Sequence, residues 1–126
     1  MAAKILVVEN DESHCELLRM HLASAGYEVR TAPDAINAGY QVLKNPPDLI
    51  VSEIDMPHLS GLEFVALLKA DSTLPPIPVI FVSALEGADR RGRELGAVGT
   101  LSKPVRADRL LELVAQHVPG GAIPIG

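Results

Sequence analysis

Four side chains that suit phosphoryl chemistry lie at or just beyond the ends of separate apolar runs. They are Glu9, Glu53, Ser83 and Lys103. Carboxylates favour a hard cation with oxygen ligands, while a hydroxyl and an ammonium can hold phosphoryl oxygens. The pattern predicts a phosphoryl or Mg²⁺ pocket if the fold brings the four residues to one place.

The sequence alternates two patterns that define the elements able to position these residues. Short runs of Val, Ile and Leu without polar alternation predict strands buried on both faces. The segments between them, of about ten or more residues with a helical pattern, predict helices. We predict strands at Lys4–Val8, Tyr27–Thr31, Leu49–Ser52, Val79–Val82 and Val98–Leu101. We predict helices at about Glu12–Ala25, Asp34–Lys44, Gly61–Ala70, Glu86–Leu95 and Ala107–His117.

Five strand–helix repeats predict an α/β domain with a doubly wound parallel sheet. Right-handed crossovers would place helices on both faces of that sheet. In such sheets, ligands bind beyond the carboxyl ends of the strands, where the four residues are expected. Local signals agree: Ser60 and Glu63 have the spacing of a capping box, and Asp11 could cap the first helix.

Length and composition favour one globular domain. The 126 residues are 48% hydrophobic and 21% charged, which is too apolar for a disordered chain and too short for two domains. We expect a domain at residues 1–118 and a flexible tail or linker at 119–126, which has no periodicity. A net charge of −5 argues against direct nucleic-acid binding.

Other features of the composition predict a cytoplasmic protein without a membrane segment. No apolar run approaches the ~20 residues of a membrane span, and the start of the chain lacks the pattern of a signal peptide. Cys15 is the only cysteine, so no internal disulfide can form. The four histidines show no metal-ligand spacing.

Four segments in register resemble the receiver domain of two-component response regulators. They are Val7–Asp11, Asp48–Pro57, Val79–Ala84 and Gly96–Pro104. The resemblance runs from about Lys4 to Val118. It implies a flavodoxin-like (βα)5 fold with strand order 2-1-3-4-5 and a cis proline after Lys103. It also implies that position 53 accepts phosphate and that Ser83 and Lys103 bind phosphoryl oxygens.

Two positions depart from the pattern of the family. The phosphoacceptor position holds Glu53 instead of aspartate, and Asn10 replaces an acidic Mg²⁺ ligand. The extra methylene moves the carboxylate by about 1 Å, and misplacement of that size can cost on the order of 100-fold in rate. We therefore expect little phosphoryl transfer and at most weak Mg²⁺ binding, with candidate ligands at Glu9, Asn10, Glu53 and Asp55.

The sequence leaves two interpretations of Glu53 open. Its carboxylate could imitate a phosphorylated aspartate and hold the switch loop partly in its active arrangement. Alternatively, Glu53 and Lys103 form an ion pair that only neutralises charge in a decayed site. The switch is incomplete in either case, because Thr100 lies where many receivers carry an aromatic residue.

Three functions compete. The favoured one is an atypical receiver that acts as a phosphorylation-independent or phosphomimetic interaction module. The alternative is a working phosphoacceptor that takes phosphate from a histidine kinase onto Glu53 or Asp55 with Mg²⁺, so enzymatic self-phosphorylation stays open. A flavodoxin-like cofactor binder is disfavoured, because the loop at 9–12 is acidic and lacks glycine.

A histidine kinase or an output domain is the expected partner. The predicted fourth helix carries Arg90, Arg91 and Arg93, which could dock an acidic partner or a second copy in a homodimer. A solvated mixed-charge face is the alternative, because Asp89 and Glu94 lie on the same helix. His58 follows Pro57 and could contact a phosphodonor or be a plain exposed loop residue.

Overall fold

A computed structural model describes residues 2–118 of the chain. The predicted tail at 119–126 lies outside these residues. The strands are β1 (Lys4–Val8), β2 (Glu28–Ala32), β3 (Leu49–Glu53), β4 (Val79–Ser83) and β5 (Gly99–Ser102). The helices are α1 (Glu12–Ser24), α2 (Ala35–Lys44), α3 (Gly61–Ala70), α4 (Ala88–Glu94) and α5 (Ala107–Ala115).

The five strands form one parallel sheet in the order β2-β1-β3-β4-β5, which confirms the predicted fold. Helices α2, α3 and α4 cover one core, which contains Val42, Phe64 and Phe81. Helices α1 and α5 cover the other core, which contains Leu22 and Leu110. Because both faces are covered, β3 and β4 are buried along their whole length.

Helix starts follow from capping side chains. Asp11 accepts a hydrogen bond from the His14 amide at 3.1 Å, and this cap begins α1. At α3, Ser60 and Glu63 form both hydrogen bonds of the predicted capping box. Each bond satisfies an amide that would otherwise lack a partner within the helix. Helix α4 differs from the prediction, because Gly87, at φ 76°, delays its start to Ala88.

The strand ends place side chains of opposite charge at one edge of the sheet. Glu53 and Ser83 are the last residues of β3 and β4, one residue beyond the predicted bounds. Glu53 pairs in register with Val82, so both central strands end side by side. The Lys103–Pro104 peptide bond is cis, as the resemblance implied.

Candidate functional site

Glu53 forms the floor of the pocket at the carboxyl edge of the sheet. Its side chain is buried, with 6% of the residue exposed. The backbone beside it is fixed by a close approach of α3, because the Gly61 amide donates to the Ile54 carbonyl at 2.8 Å. A Cβ at Gly61 would collide with the Glu53 carbonyl oxygen. Glycine is therefore required here by space, and it holds the end of β3 in position.

Glu9 provides a second buried carboxylate, with 2% of the residue exposed. It follows β1, and its amide donates to the Ala32 carbonyl at 3.1 Å, which extends the β1–β2 ladder. The His14 ring contacts this carboxylate from the first turn of α1, with Nδ1 2.5 Å from Glu9 Oε1. The cap at Asp11 thus aims His14 at the pocket.

Lys103 joins the two carboxylates. Its ammonium donates to Glu9 Oε1 at 3.0 Å and lies 3.3 Å from Glu53 Oε2. The second contact is a charge attraction without directed hydrogen-bond geometry, because Glu53 Oε2 has no hydrogen-bond partner among residues 2–118. Lys103 therefore faces Glu53, as the sequence predicts, but its hydrogen bond is to Glu9.

The ionisation of the pocket follows from burial and pairing. Burial is the main cause that raises the pKa of Glu53, the Glu9 carboxylate adds to it, and Lys103 opposes it. For Lys103, burial works against the charged form. The hydrogen bond to Glu9 and the charge of Glu53 outweigh burial, so the pKa of Lys103 is raised. Two carboxylates thus share one well-held cation.

Ser83 is buried, and its hydroxyl is engaged within its own loop. Its Oγ accepts from the Leu85 amide at 2.9 Å. On β5, Thr100 is half-buried, and its hydroxyl has no hydrogen-bond partner within residues 2–118. A Cβ at Gly92 would lie 2.7 Å from that hydroxyl and 3.0 Å from the Phe81 ring. Phe81, Thr100 and α4 are therefore closely packed beneath the loop.

The four candidate metal ligands differ in burial and in the contacts that they already make. Glu9 and Glu53 are buried, whereas Asn10 and Asp55 are exposed. Within residues 2–118, no group of three or more His, Cys, Asp or Glu side chains is arranged to hold an ion. Glu9 Oε2 keeps an unused acceptor, but Lys103 already neutralises its carboxylate. Mg²⁺ is commonly held by one or two carboxylates and several waters. Because both buried carboxylates already contact Lys103, we expect them to be weak ligands for Mg²⁺.

His14 is the site residue that the sequence did not single out. Histidine spacing alone gives no signal, because its partner is a carboxylate rather than a metal. The usable signal is the Asp11 cap, which puts the first turn of α1 against Glu9, the residue that follows β1. His58, in contrast, is exposed in the loop at a φ of 70°.

The arginine face of α4 is exposed but largely paired within the helix. Arg93 lies 3.3 Å from Asp89, and Arg90 lies 3.5 Å from Glu94. Such exposed pairs contribute little energy. The face therefore carries mixed charge, and its role as a docking surface stays a prediction.

The larger cavities lie away from the pocket. A groove of about 510 Å³ lies between the end of α3 and the start of β4, at the amino edge of the sheet. Its lining includes Leu68, Lys69 and Leu74, and prolines 75, 76 and 78. None of the residues that line this groove belongs to the pocket at the carboxyl edge.

Comparisons with known proteins agree with the fold. Residues 5–115 match the model of the response regulator receiver domain. The polar-differentiation response regulator DivK of Brucella ovis is 32% identical over 120 residues, which are 94% of this chain and 98% of that protein. The chain belongs to the response regulator receiver domain family.

Solved structures show the same likeness. The chemotaxis protein CheY4 of Vibrio cholerae superimposes with a TM-score of 0.85 at 30% identity, covering 94% of this chain and all of that one. A putative response regulator from Chloroflexus aurantiacus gives a TM-score of 0.87 at 27% identity, covering 92% and 97%. Receiver domains in general interact with histidine kinases and output domains and typically bind Mg²⁺ at the phosphorylation site.

Among residues 2–118, no helix combines the length and the apolar character needed to cross a bilayer.

Proposed function

We propose that this receiver domain acts as a protein-interaction module that does not depend on phosphorylation. The observation that carries the proposal is the state of Lys103, whose ammonium already bonds Glu9 and lies against Glu53. A phosphoryl group would have to compete with two carboxylates for that cation. The cytoplasmic location stays a prediction, as does the identity of the kinase or output partner.

The structure gives less support to a Glu53 carboxylate that imitates a phosphorylated aspartate than to a Glu53–Lys103 pair that only neutralises charge. A mimic would have to act on the switch loop through Ser83, but the Ser83 hydroxyl accepts from the Leu85 amide within its own loop. The Glu53 carboxylate instead faces Lys103. We therefore infer that the loop conformation is largely independent of the Glu53 charge.

Glu53→Gln tests mimicry, because it removes the charge and keeps the size of the side chain. We expect the amide NMR resonances of Ser83 and Leu85 to change little, with larger changes around Glu9 and Lys103. Large shifts throughout the loop at residues 83–87 would instead support a phosphomimetic carboxylate.

The phosphorylation test uses a small acyl phosphate with Mg²⁺ and intact mass as the readout. The wild-type chain is expected to gain no stoichiometric adduct. The double variant Asn10→Asp with Glu53→Asp restores both acids at the length the family uses, and it is expected to gain one phosphoryl group. Each single variant serves as a control, because one repair leaves either the ligand set or the acceptor geometry deficient.

A stoichiometric adduct on the wild-type chain would overturn the proposal. Glu53→Ala and Asp55→Asn would then separate the two candidate acceptors, since only the variant of the true acceptor would lose the adduct. A calorimetric titration with Mg²⁺ on the wild type and the double variant provides a readout that does not need transfer. We expect the double variant to bind Mg²⁺ at least about tenfold more tightly, because it regains an anionic ligand.

A further inference from the structure

The outward face of α2 carries a stripe of large apolar side chains. Ile36, Tyr40 and Leu43 are 59%, 72% and 59% exposed. Their spacing of four and three residues puts them on one side of the helix, while Ala35, Ala38 and Val42 are buried on the other. We call the three residues the α2 face. They expose on the order of 400 Å², the size at which a patch on a monomer commonly has a function.

The α2 face lacks formal charge. No Asp, Glu, Lys, Arg or His occurs from Ala35 to Leu43, and the helix is bounded by Asp34 and Lys44. A strongly charged partner would find nothing within this face to pair with. The charges at its two ends are opposite in sign.

Gly39 adjoins the α2 face, and no contact within the single chain requires glycine there. A Cβ at this position would meet nothing within 4 Å, so the monomer has room for a side chain. Glycine in a helix interior costs roughly 0.5–1 kcal/mol relative to alanine. A close approach of another chain would use the space that this glycine leaves.

The α2 face of one copy is complementary to the α2 face of a second copy. If two α2 helices lie antiparallel, Ile36 of one meets Leu43 of the other, and Tyr40 covers Gly39. Asp34 then lies beside Lys44 of the second copy at both ends, and the two helix dipoles oppose each other favourably. We propose that the α2 face mediates the antiparallel self-association of two copies of this chain.

The association does not depend on the pocket or on the arginine face. Helix α2 packs on β1 and β2, at the far end of the sheet from β4 and β5, so a dimer leaves α4 and α5 free for other partners. The interface is small, and contacts below about 1,200 Å² in total are typical of weak, transient association. A reversible dimer that forms at high local concentration is therefore expected.

Sedimentation velocity on the full 126-residue chain tests the proposal. From roughly 10 µM to 1 mM, which spans weak affinities, the sedimentation coefficient of the wild type should rise from monomer to dimer. Leu43→Glu should weaken the dimer at least tenfold, because it puts a carboxylate against Ile36 of the second copy. Lys44→Glu should weaken it too, through repulsion from Asp34.

Leu67→Glu is the matched control. Leu67 lies on α3, a helix of the same length, and is 61% exposed, close to the 59% of Leu43. Its substitution should leave the dimer affinity unchanged. Circular dichroism at low concentration confirms that each variant is folded.

A wild type that stays monomeric up to ~1 mM would overturn the proposal, since weaker contacts fall below any specific range. If Leu43→Glu left the dimer affinity unchanged, or if Leu67→Glu lowered it by the same factor, another surface would be responsible.

Discussion

At the scale of single residues, the pocket is a balance between two buried carboxylates and the groups that neutralise them. Glu9 and Glu53 would be costly to bury as bare anions. Lys103 reaches both, and His14 contacts Glu9 from α1. The Glu53 carboxylate lies 3.3 Å from the ammonium. One ammonium thus serves two buried carboxylates.

Lys103→Met should lower the free energy of unfolding by an amount that depends on pH. Removing one partner of a buried pair leaves its anions unpaired, so we expect a loss of about 3 kcal/mol at pH 7. This is the lower end of the usual range, because the Lys103 side chain is 26% exposed. Urea unfolding measures the loss, and Lys69→Met, at an exposed position, provides the control.

The sign of the pH dependence follows from Glu53. Its pKa in the folded chain is raised above the ordinary value of 4.5, so the folded state binds more protons than the unfolded state between the two values. Stability from this group therefore falls as pH rises through that window. Lys103→Met should thus be less damaging near pH 4.5 than at pH 7, and an equal loss at both values would contradict the account.

At the scale of elements, close contacts between helices and strand ends set the geometry of the pocket. Helix α3 begins against the end of β3, where Gly61 lacks the Cβ that would strike the Glu53 carbonyl. Helix α1 begins at the Asp11 cap and carries His14 to Glu9. Each helix start therefore fixes one wall of the pocket.

Gly61→Ala and Gly39→Ala should change the stability of the domain in opposite directions. At Gly61 the added methyl overpacks the end of β3, so we expect a loss of about 1–3 kcal/mol. At Gly39 the methyl enters open space within a helix, so we expect the monomer to gain roughly 0.5–1 kcal/mol. Thermal unfolding of the dilute protein measures both. Equal effects would mean that helix propensity alone decides them.

At the scale of the whole molecule, one sheet lies between two cores and contributes buried residues to both. Leu22 lies in the α1–α5 core and Ile50 in the α2–α4 core, and both are fully buried. Every strand of the sheet except β5 contributes fully buried residues. Neither core can open without exposing the sheet to water on that side.

Leu22→Ala and Ile50→Ala should each cost about 2–5 kcal/mol, because each leaves a cavity in a packed core. Unfolding should remain a single transition in both variants. Circular dichroism and one-dimensional NMR of the methyl groups follow the same denaturant titration. Separate midpoints for the two signals in either variant would show that the two cores unfold independently.

The sequence by itself determined the elements, their order and the residues of the carboxyl edge. Strands buried on both faces leave long apolar runs, and caps such as Ser60 with Glu63 act over three residues, so both are visible in a linear pattern. The positions of Glu53, Ser83 and Lys103 at strand ends follow from the same pattern. The late start of α4 was missed, because the left-handed turn at Gly87 depends on how the loop is packed.

Only the tertiary structure determined which side chains of the pocket bond with one another. Lys103 lies 94 residues from Glu9 in the chain, yet it donates its hydrogen bond there. The contact of His14 with Glu9 and the turn of Ser83 toward Leu85 were likewise absent from the pattern. Pairing in a buried pocket depends on distances of a few ångströms between side chains on different elements. Those distances arise when helices pack on the sheet, and no local spacing in the sequence records them.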